Sequence, residues 1–280
     1  MEKTEVIKLL NRDLEDEHAA IIQYLAHAYA MGEGEVACEI EAISRDEMRH
    51  LDWLAETIVG LGGTPGLERG KELPGGKTVP DWMKNDVLLE EGAAKQYRQH
   101  IALIDDAKIK RLLERILSDE IAHRLKFEHF IEKAKKEGLV DVRGERRDET
   151  ARALNWGIEH EYTVVLQYLW HGYLSRNAAM KEQMEDQAIN EMQHLGWLAE
   201  ELASGGGKPV LEHTGVERPL KKRDMLEADI KIEKTVAAEY DRAARKTADP
   251  DIKRLLRRIR DNELYHVEVF QDLVKKLGSS

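Results

Sequence analysis

The chain repeats itself, and that constrains its fold more than any other feature. LNRDLEDEHAAIIQYLAHAY at Leu10 to Tyr29 returns as LNWGIEHEYTVVLQYLWHGY at Leu154 to Tyr173, a shift of 144 residues. DEMRHLDWLAE then matches NEMQHLGWLAE, GGTPGLE matches GGKPVLE, and IKRLLERILSDEIAH matches IKRLLRRIRDNELYH at a shift of 143. A self-similarity this long means two copies of one folding unit. The polar, glycine-containing stretch KKEGLVDVRGERRD, Lys135 to Asp148, reads as the linker, which sets the domains at 1–142 and 143–280. Each copy is long enough to bury its own core.

Apolar residues in each copy recur at alternating steps of three and four, the period of a helix that buries one stripe. In the first copy this spacing predicts helices over Thr4 to Met31, Gly34 to Leu61, Asp81 to Asp105 and Asp106 to Lys136. Gly32 and Gly34 break the first pair, and GLGGTPGLERGKELPGGKTVP is too rich in glycine and proline to be helical. A connection that long can run the length of a bundle. Asp106, and Asp249 followed by Pro250, sit where helix N-caps belong. The expected fold is all-α, two four-helix bundles in tandem.

The stripes carry charge where a plain bundle needs none. The four helices of copy one read Leu10, Leu14, Glu17, Ile21, Tyr24; Ile40, Ile43, Glu47, His50, Leu54; Met83, Val87, Glu90, Ala94, Tyr97, Ile101; and Ile109, Leu113, Ile116, Glu120, His123, Phe127, Phe130. Copy two repeats the polar positions as Glu161, Glu191, His194, Glu233, Glu263 and His266. Four ionised carboxylates inside one bundle cost several kcal/mol each unless compensated. Two divalent cations cancel their charge, and a mixed oxygen and nitrogen donor set suits iron or manganese. Glu15 and His18 form a further E-x-x-H pair, but they lie off the stripe and copy two has Glu159 and Tyr162 there, so they read as an ordinary exposed helical pair. Glu91 is likewise answered by Lys234, whereas Glu90 is answered by Glu233.

One Glu on each of two helices with E-x-x-H on each of the other two resembles the ferritin-like di-iron family. QYLAHA after Glu17, DEMRH around Glu47, GGTPGL in the crossover and DVLLEEGAAKQYRQHI around Glu90 resemble bacterioferritins in particular. The resemblance implies that Glu17 with His50 holds one iron, Glu90 with His123 the other, and Glu47 with Glu120 bridges them. In copy two it implies Glu161 with His194, Glu233 with His266, and bridging Glu191 with Glu263. Copy lengths near 140 residues leave no room for the short fifth helix of ferritin cages, so a closed storage shell is not expected, although a homo-oligomer is open. No rubredoxin-type cysteine cluster is present either, so the electrons are expected from iron itself or from an outside donor.

Tyr24, Tyr97, Tyr168 and Tyr240 each lie seven residues after a lone ligand Glu, placed to hydrogen-bond a ligand carboxylate or to fill the core. Trp53 and Trp197 follow the ligand histidines by three and read as core packing. Met48 and Met192 face sideways out of their bundles, where the bacterioferritin resemblance implies candidate ligands of a shared haem and plain packing is the alternative.

A net charge of −11, from 43 Lys and Arg against 54 Asp and Glu, argues against nucleic acid as a partner. One cysteine, Cys38, excludes an internal disulfide, and no apolar run reaches the length of a membrane span, so a soluble cytoplasmic protein is expected. The expected function is that of a non-haem di-iron oxidoreductase, most simply a ferroxidase acting on Fe(II) with O2 or H2O2 in iron homeostasis or oxidative-stress defence. A peroxidase or dimanganese catalase, and a bundle that holds metal without catalysis, are the alternatives.

Overall fold

The computed structural model describes residues 1–73 and 75–277. Pro74, in the crossover, and the last three residues of the second copy lie outside the described residues. Among the described residues eight helices follow one another: α1 Lys3–Met31, α2 Glu35–Gly60, α3 Val79–Leu103, α4 Ala107–Glu137, α5 Glu149–Leu174, α6 Ala178–Ser204, α7 Lys222–Lys246 and α8 Pro250–Leu277. Among the described residues there is no strand, and no helix is long and apolar enough to cross a membrane. The chain divides into two units, Met1–Val142 and Arg143–Ser280.

In the first unit α1 packs along α2 and α3 along α4, and the two hairpins meet through α1 with α3 and α2 with α4. The second unit repeats this with α5 to α8. The crossover between hairpins is a strap laid along α1. Gly66 N–H donates to Asn11 Oδ1, Gly70 N–H to the Glu15 carbonyl, and Leu73 N–H to Gln23 Oε1, so it climbs about 18 Å of helix. In the second unit Asn155, Thr163 and Gln167 hold the equivalent strap at Val210, Thr214 and Glu217.

Two boundaries of the first copy, both of α3, differ from the sequence expectation by two residues, and the others by at most one. α3 begins at Val79 with Pro80 in its first turn, where a missing N–H costs nothing. It ends at Leu103, and a break at 104–106 separates it from α4. Ile104 is extended and fully buried there, and Asp106 caps α4 by accepting from Lys108 N–H and Ile109 N–H. Asp249 caps α8 in the same way, through Asp251 N–H and Ile252 N–H. The linker is tied at both ends: Val142 N–H bonds the Ala30 carbonyl within the first unit, and Arg146 N–H bonds the Gly206 carbonyl within the second.

The predicted stripes of the first copy are buried with two exceptions. On α3, Val87 and Ile101 are only half-buried, and Asp86 is the fully buried neighbour instead.

Candidate metal centres

Glu17, Glu47, His50 and Glu120 each bring one donor atom within 4.8 Å of the others, and so do Glu47, Glu90, Glu120 and His123. Glu47 and Glu120 belong to both sets. All six side chains are buried, at 0–3% exposure, in mid-bundle between apolar layers. His50 Nδ1 lies 2.8 Å from Glu47 Oε2, 3.1 Å from Glu120 Oε1 and 3.5 Å from Glu17 Oε2. His123 Nδ1 lies 2.8 Å from the other Glu47 oxygen, Oε1, and 3.8 Å from Glu90 Oε1. One carboxylate therefore faces both imidazoles, one oxygen to each.

The second unit builds the same object from Glu161, Glu191, His194 and Glu263, and from Glu191, Glu233, Glu263 and His266. His194 Nδ1 is 2.8 Å from Glu191 Oε2 and 3.0 Å from Glu263 Oε1, and His266 Nδ1 is 2.7 Å from Glu191 Oε1 and 3.3 Å from Glu263 Oε2. Both shared carboxylates span the two sets here.

Most of these contacts are close without being aligned as hydrogen bonds, although His194 Nδ1 does bond Glu191 Oε2. His50 Nδ1, His123 Nδ1, both Glu47 oxygens and both Glu233 oxygens are buried with no hydrogen-bond partner. Ligands about 2.1 Å from one octahedral ion stand about 3 Å apart, which is the spacing found. Four carboxylates and two imidazoles per cluster thus fit a pair of divalent ions in charge, donor type and spacing.

Without metal the electrostatics are lopsided. Burial raises Glu17, Glu90, Glu161 and Glu233 well above the usual carboxylate range, and the charge of the neighbouring Glu120 or Glu263 adds to it. Burial also pushes Glu47 up, but the His123 and His50 imidazoles outweigh it and bring it down to about 2. His194 goes the opposite way: burial alone would lower it, and Glu161, Glu191 and Glu263 lift it to about 12.

Tyr24 Oη donates to Glu90 Oε1 at 2.6 Å, and Tyr97 Oη to Glu17 Oε1. Each phenol thus crosses to the carboxylate of the facing helix, not to the Glu seven residues before it. Tyr240 does the same to Glu161, whereas Tyr168 Oη has no hydrogen-bond partner.

A buried polar ring around the clusters is invisible to an apolar-stripe reading. His27 Nδ1 meets Asp86 Oδ2 at 2.9 Å with Gln23 Nε2 donating to Oδ1, and His100 Nδ1 meets Asp13 at 2.8 Å with Gln96 Nε2 donating. Burial raises both aspartates. These residues expose a further symmetry: Asp13, Glu17, Gln23, Tyr24, His27, Asp46, Glu47 and His50 each recur 73 residues later, as Asp86, Glu90, Gln96, Tyr97, His100, Asp119, Glu120 and His123. A constant 73-residue shift between hairpins is the signal that could have found them. The second unit keeps Gln167, Asp229 and His171 bonded together, but its other pair is replaced by Gly157 and Ala243. A Cβ on Gly157 would stand 2.8 Å from Leu198 Cδ1 and 2.9 Å from Tyr240 Oη, so the space of the lost pair is filled.

Several other predicted positions fall outside the clusters. His18 is buried, not exposed as expected, because the strap covers it and its Nδ1 lies 3.3 Å from the Glu68 carbonyl. Trp53 and Trp197 are half-buried instead of core-filling; each ring lies beside a cluster histidine and carries an arginine, Arg115 at 4.7 Å and Arg258 at 4.2 Å. Met48 and Met192 are half-buried and belong to neither donor set. A cavity of about 230 Å³ opens between α1, α3 and the strap of the first unit, lined by Asp13, Asp16 and Gln96 and reaching Glu17, Glu90 and Glu120. At the positions of Arg12 and Asp16 the second unit has Trp156 and His160, stacked at 3.9 Å.

Antiparallel helices that converge two E-x-x-H pairs and two lone glutamates define a ferritin-like metal-binding bundle. The ferritin-like domain family matches residues 7–136 and again 151–279, and the chain belongs to that family as a tandem duplication. Its halves resemble bacterioferritins. The bacterioferritin of Desulfovibrio desulfuricans is 33% identical over 133 residues, 45% of this chain and 74% of the relative. Bacterioferritin BfrA of Mycobacterium tuberculosis is 32% identical over 125 residues, 42% of this chain and 79% of the relative. A crystal structure of the D. desulfuricans protein, with its diiron site in different catalytic states, aligns over 48% of this chain and 82% of its own at 33% identity and a TM-score of 0.46.

Proposed function

We propose that this chain is a di-iron ferroxidase of bacterioferritin type, with one dinuclear centre in each of two self-contained domains, 1–142 and 143–280. Glu17 with His50 and Glu90 with His123 would hold one ion each, with Glu47 and Glu120 as the carboxylates shared between them. Glu161 with His194 and Glu233 with His266 would do the same, with Glu191 and Glu263 shared. The observation that carries this reading is the pair of overlapping donor sets in each bundle, joined by shared carboxylates of which Glu47 and Glu191 turn one oxygen to each imidazole.

Reduced iron, when bound, would supply two electrons to O2 or H2O2. The protein's part is to hold the ions together and keep their ligands in place. Glu47 and Glu191, with an oxygen toward each imidazole, would set the spacing of two bound ions. Tyr97, Tyr24 and Tyr240 fix the terminal carboxylates by donating to one oxygen, which would leave the other available to a metal. In the first unit the acidic cavity gives Fe(II) and small oxidants a route from solvent to Glu17 and Glu90. Such an activity belongs in a reducing compartment, where Cys38 stays a thiol.

Protein purified from iron- and manganese-supplemented cells should contain about four irons per chain, and the anaerobic reduced form should oxidise rapidly on adding O2, followed in the ultraviolet-visible spectrum. Replacing Glu47 and Glu191 together with Ala should abolish the fast phase, and undiminished oxidation would refute their bridging role. Manganese at the sites with peroxide consumption in the absence of Fe(II) would replace the ferroxidase by a catalase.

A further inference from the structure

The two clusters carry the same six donors, yet the groups behind the histidines differ in charge. In the first unit each cluster imidazole turns Nδ1 to the carboxylates and Nε2 to an aspartate on the facing helix: His50 Nε2 lies 3.3 Å from Asp119 Oδ2, and His123 Nε2 lies 3.3 Å from Asp46 Oδ2. Asp46 is fixed in turn by an ion pair with Arg49. In the second unit both positions are asparagine, Asn262 and Asn190, and Arg49 becomes Gln193. The Asn262 amide lies 2.9 Å from His194 Nε2, while Asn190 Nδ2 turns away to the Asp186 carbonyl.

An imidazole that gives its Nδ1 lone pair to a metal carries its proton on Nε2 and needs an acceptor there. A carboxylate accepts that N–H and, by its charge, makes the ring a stronger donor to a cation. A neutral amide supplies only its oxygen, and Asn262 must turn that oxygen toward the ring, since its nitrogen stands there now. Loss of such an outer partner lowers metal affinity by about 10–100-fold. A second difference points the same way: Tyr24 holds Glu90, but Tyr168 holds nothing, and both oxygens of Glu233 are left without a hydrogen bond.

Resting on the di-metal reading above, we propose that the two centres are unequal by design: the aspartate-backed centre of the first unit retains its ions as a resident cofactor, and the asparagine-backed centre of the second binds divalent iron more weakly and exchanges it. Asp46 and Asp119 act as positioning residues through His123 and His50, and Asn190 and Asn262 mark their absence.

The test is a metal titration of the full chain with anaerobic Fe(II), and with Co(II) as a spectroscopic probe, against a competing chelator of graded concentration. The wild type should lose two ions per chain at a chelator level about 10–100-fold below that needed for the other two. D46N/D119N should merge the tight pair into the weak class, and N190D/N262D should merge the weak pair into the tight one. Each swap replaces an amide by a carboxylate of the same shape or the reverse, and circular dichroism checks the fold. Four ions released together in the wild type, or a tight pair that survives D46N/D119N, would overturn the inference while the metal reading stands. A wild type that takes up neither metal would overturn both.

Discussion

Stripping the metals should lower the thermal stability of each unit by an amount that grows with pH. An ion that binds the folded state alone, at 100 times its dissociation constant, stabilises by about 2.7 kcal/mol, so two ions per bundle add about 5 kcal/mol. Each unit has about 140 residues. At about 2.1 cal/mol/K of unfolding entropy per residue, that energy corresponds to a fall of roughly 15–20 °C in melting temperature on chelation. The pH dependence follows from the metal-free clusters. Glu17, Glu90, Glu161 and Glu233 have folded pKa values raised above those of the unfolded chain, so their contribution is complete below the ordinary carboxylate pKa and is lost as pH rises through the raised values. His194, lifted to about 12, acts with the same sign: its contribution is complete below the ordinary histidine pKa and declines above it. Bound metal replaces those protons, so its affinity rises over the same range. Calorimetry of loaded and chelated protein at pH 6 and pH 8 should therefore show a wider gap at pH 8. A gap that narrows with pH, or one of equal size in the Glu47 and Glu191 double replacement, would refute the coupling of these carboxylates to metal.

Two local predictions read the hydrogen bonds around the clusters. Tyr97→Phe removes the donor to buried Glu17 and should cost the metal-loaded first unit about 1.5–3 kcal/mol in urea unfolding, whereas Tyr168→Phe, whose hydroxyl has no partner, should stay within about 0.5 kcal/mol; equal costs would count against the assignment. His100→Ala leaves Asp13 buried with Gln96 as its remaining side-chain donor and should cost about 3–5 kcal/mol, while Asp13→Ala combined with His100→Ala should cost less than His100→Ala alone, a sign of coupling that a double-mutant cycle measures.

What could be read from the sequence, and what could not, divides along a physical line. Helix number and bundle pairing follow from a 3.6-residue apolar period and a glycine-rich crossover, both local properties. The cluster positions Glu47, His50, Glu120 and His123 stand out because a charge on a buried stripe is costly, and its recurrence 143–144 residues later removes chance. The Asp86–His27 and Asp13–His100 pairs escape the same reading, since each aspartate lies one residue before the apolar row and finds its histidine on the facing helix, a tertiary fact. Phenol partners escape for a related reason: spacing on one helix puts Tyr97 over Glu90, but the antiparallel crossing delivers its hydroxyl to Glu17. Most telling are Asp46 and Asp119 against Asn190 and Asn262. Aligning the two copies treats agreement as signal and mismatch as drift, so what distinguishes the centres falls in the part that alignment sets aside. Only the distance from an aspartate oxygen to the back of a buried imidazole turns that mismatch into chemistry: duplication preserved the donors, whose loss would leave buried charge uncompensated, and left free to diverge the partly exposed groups that tune them.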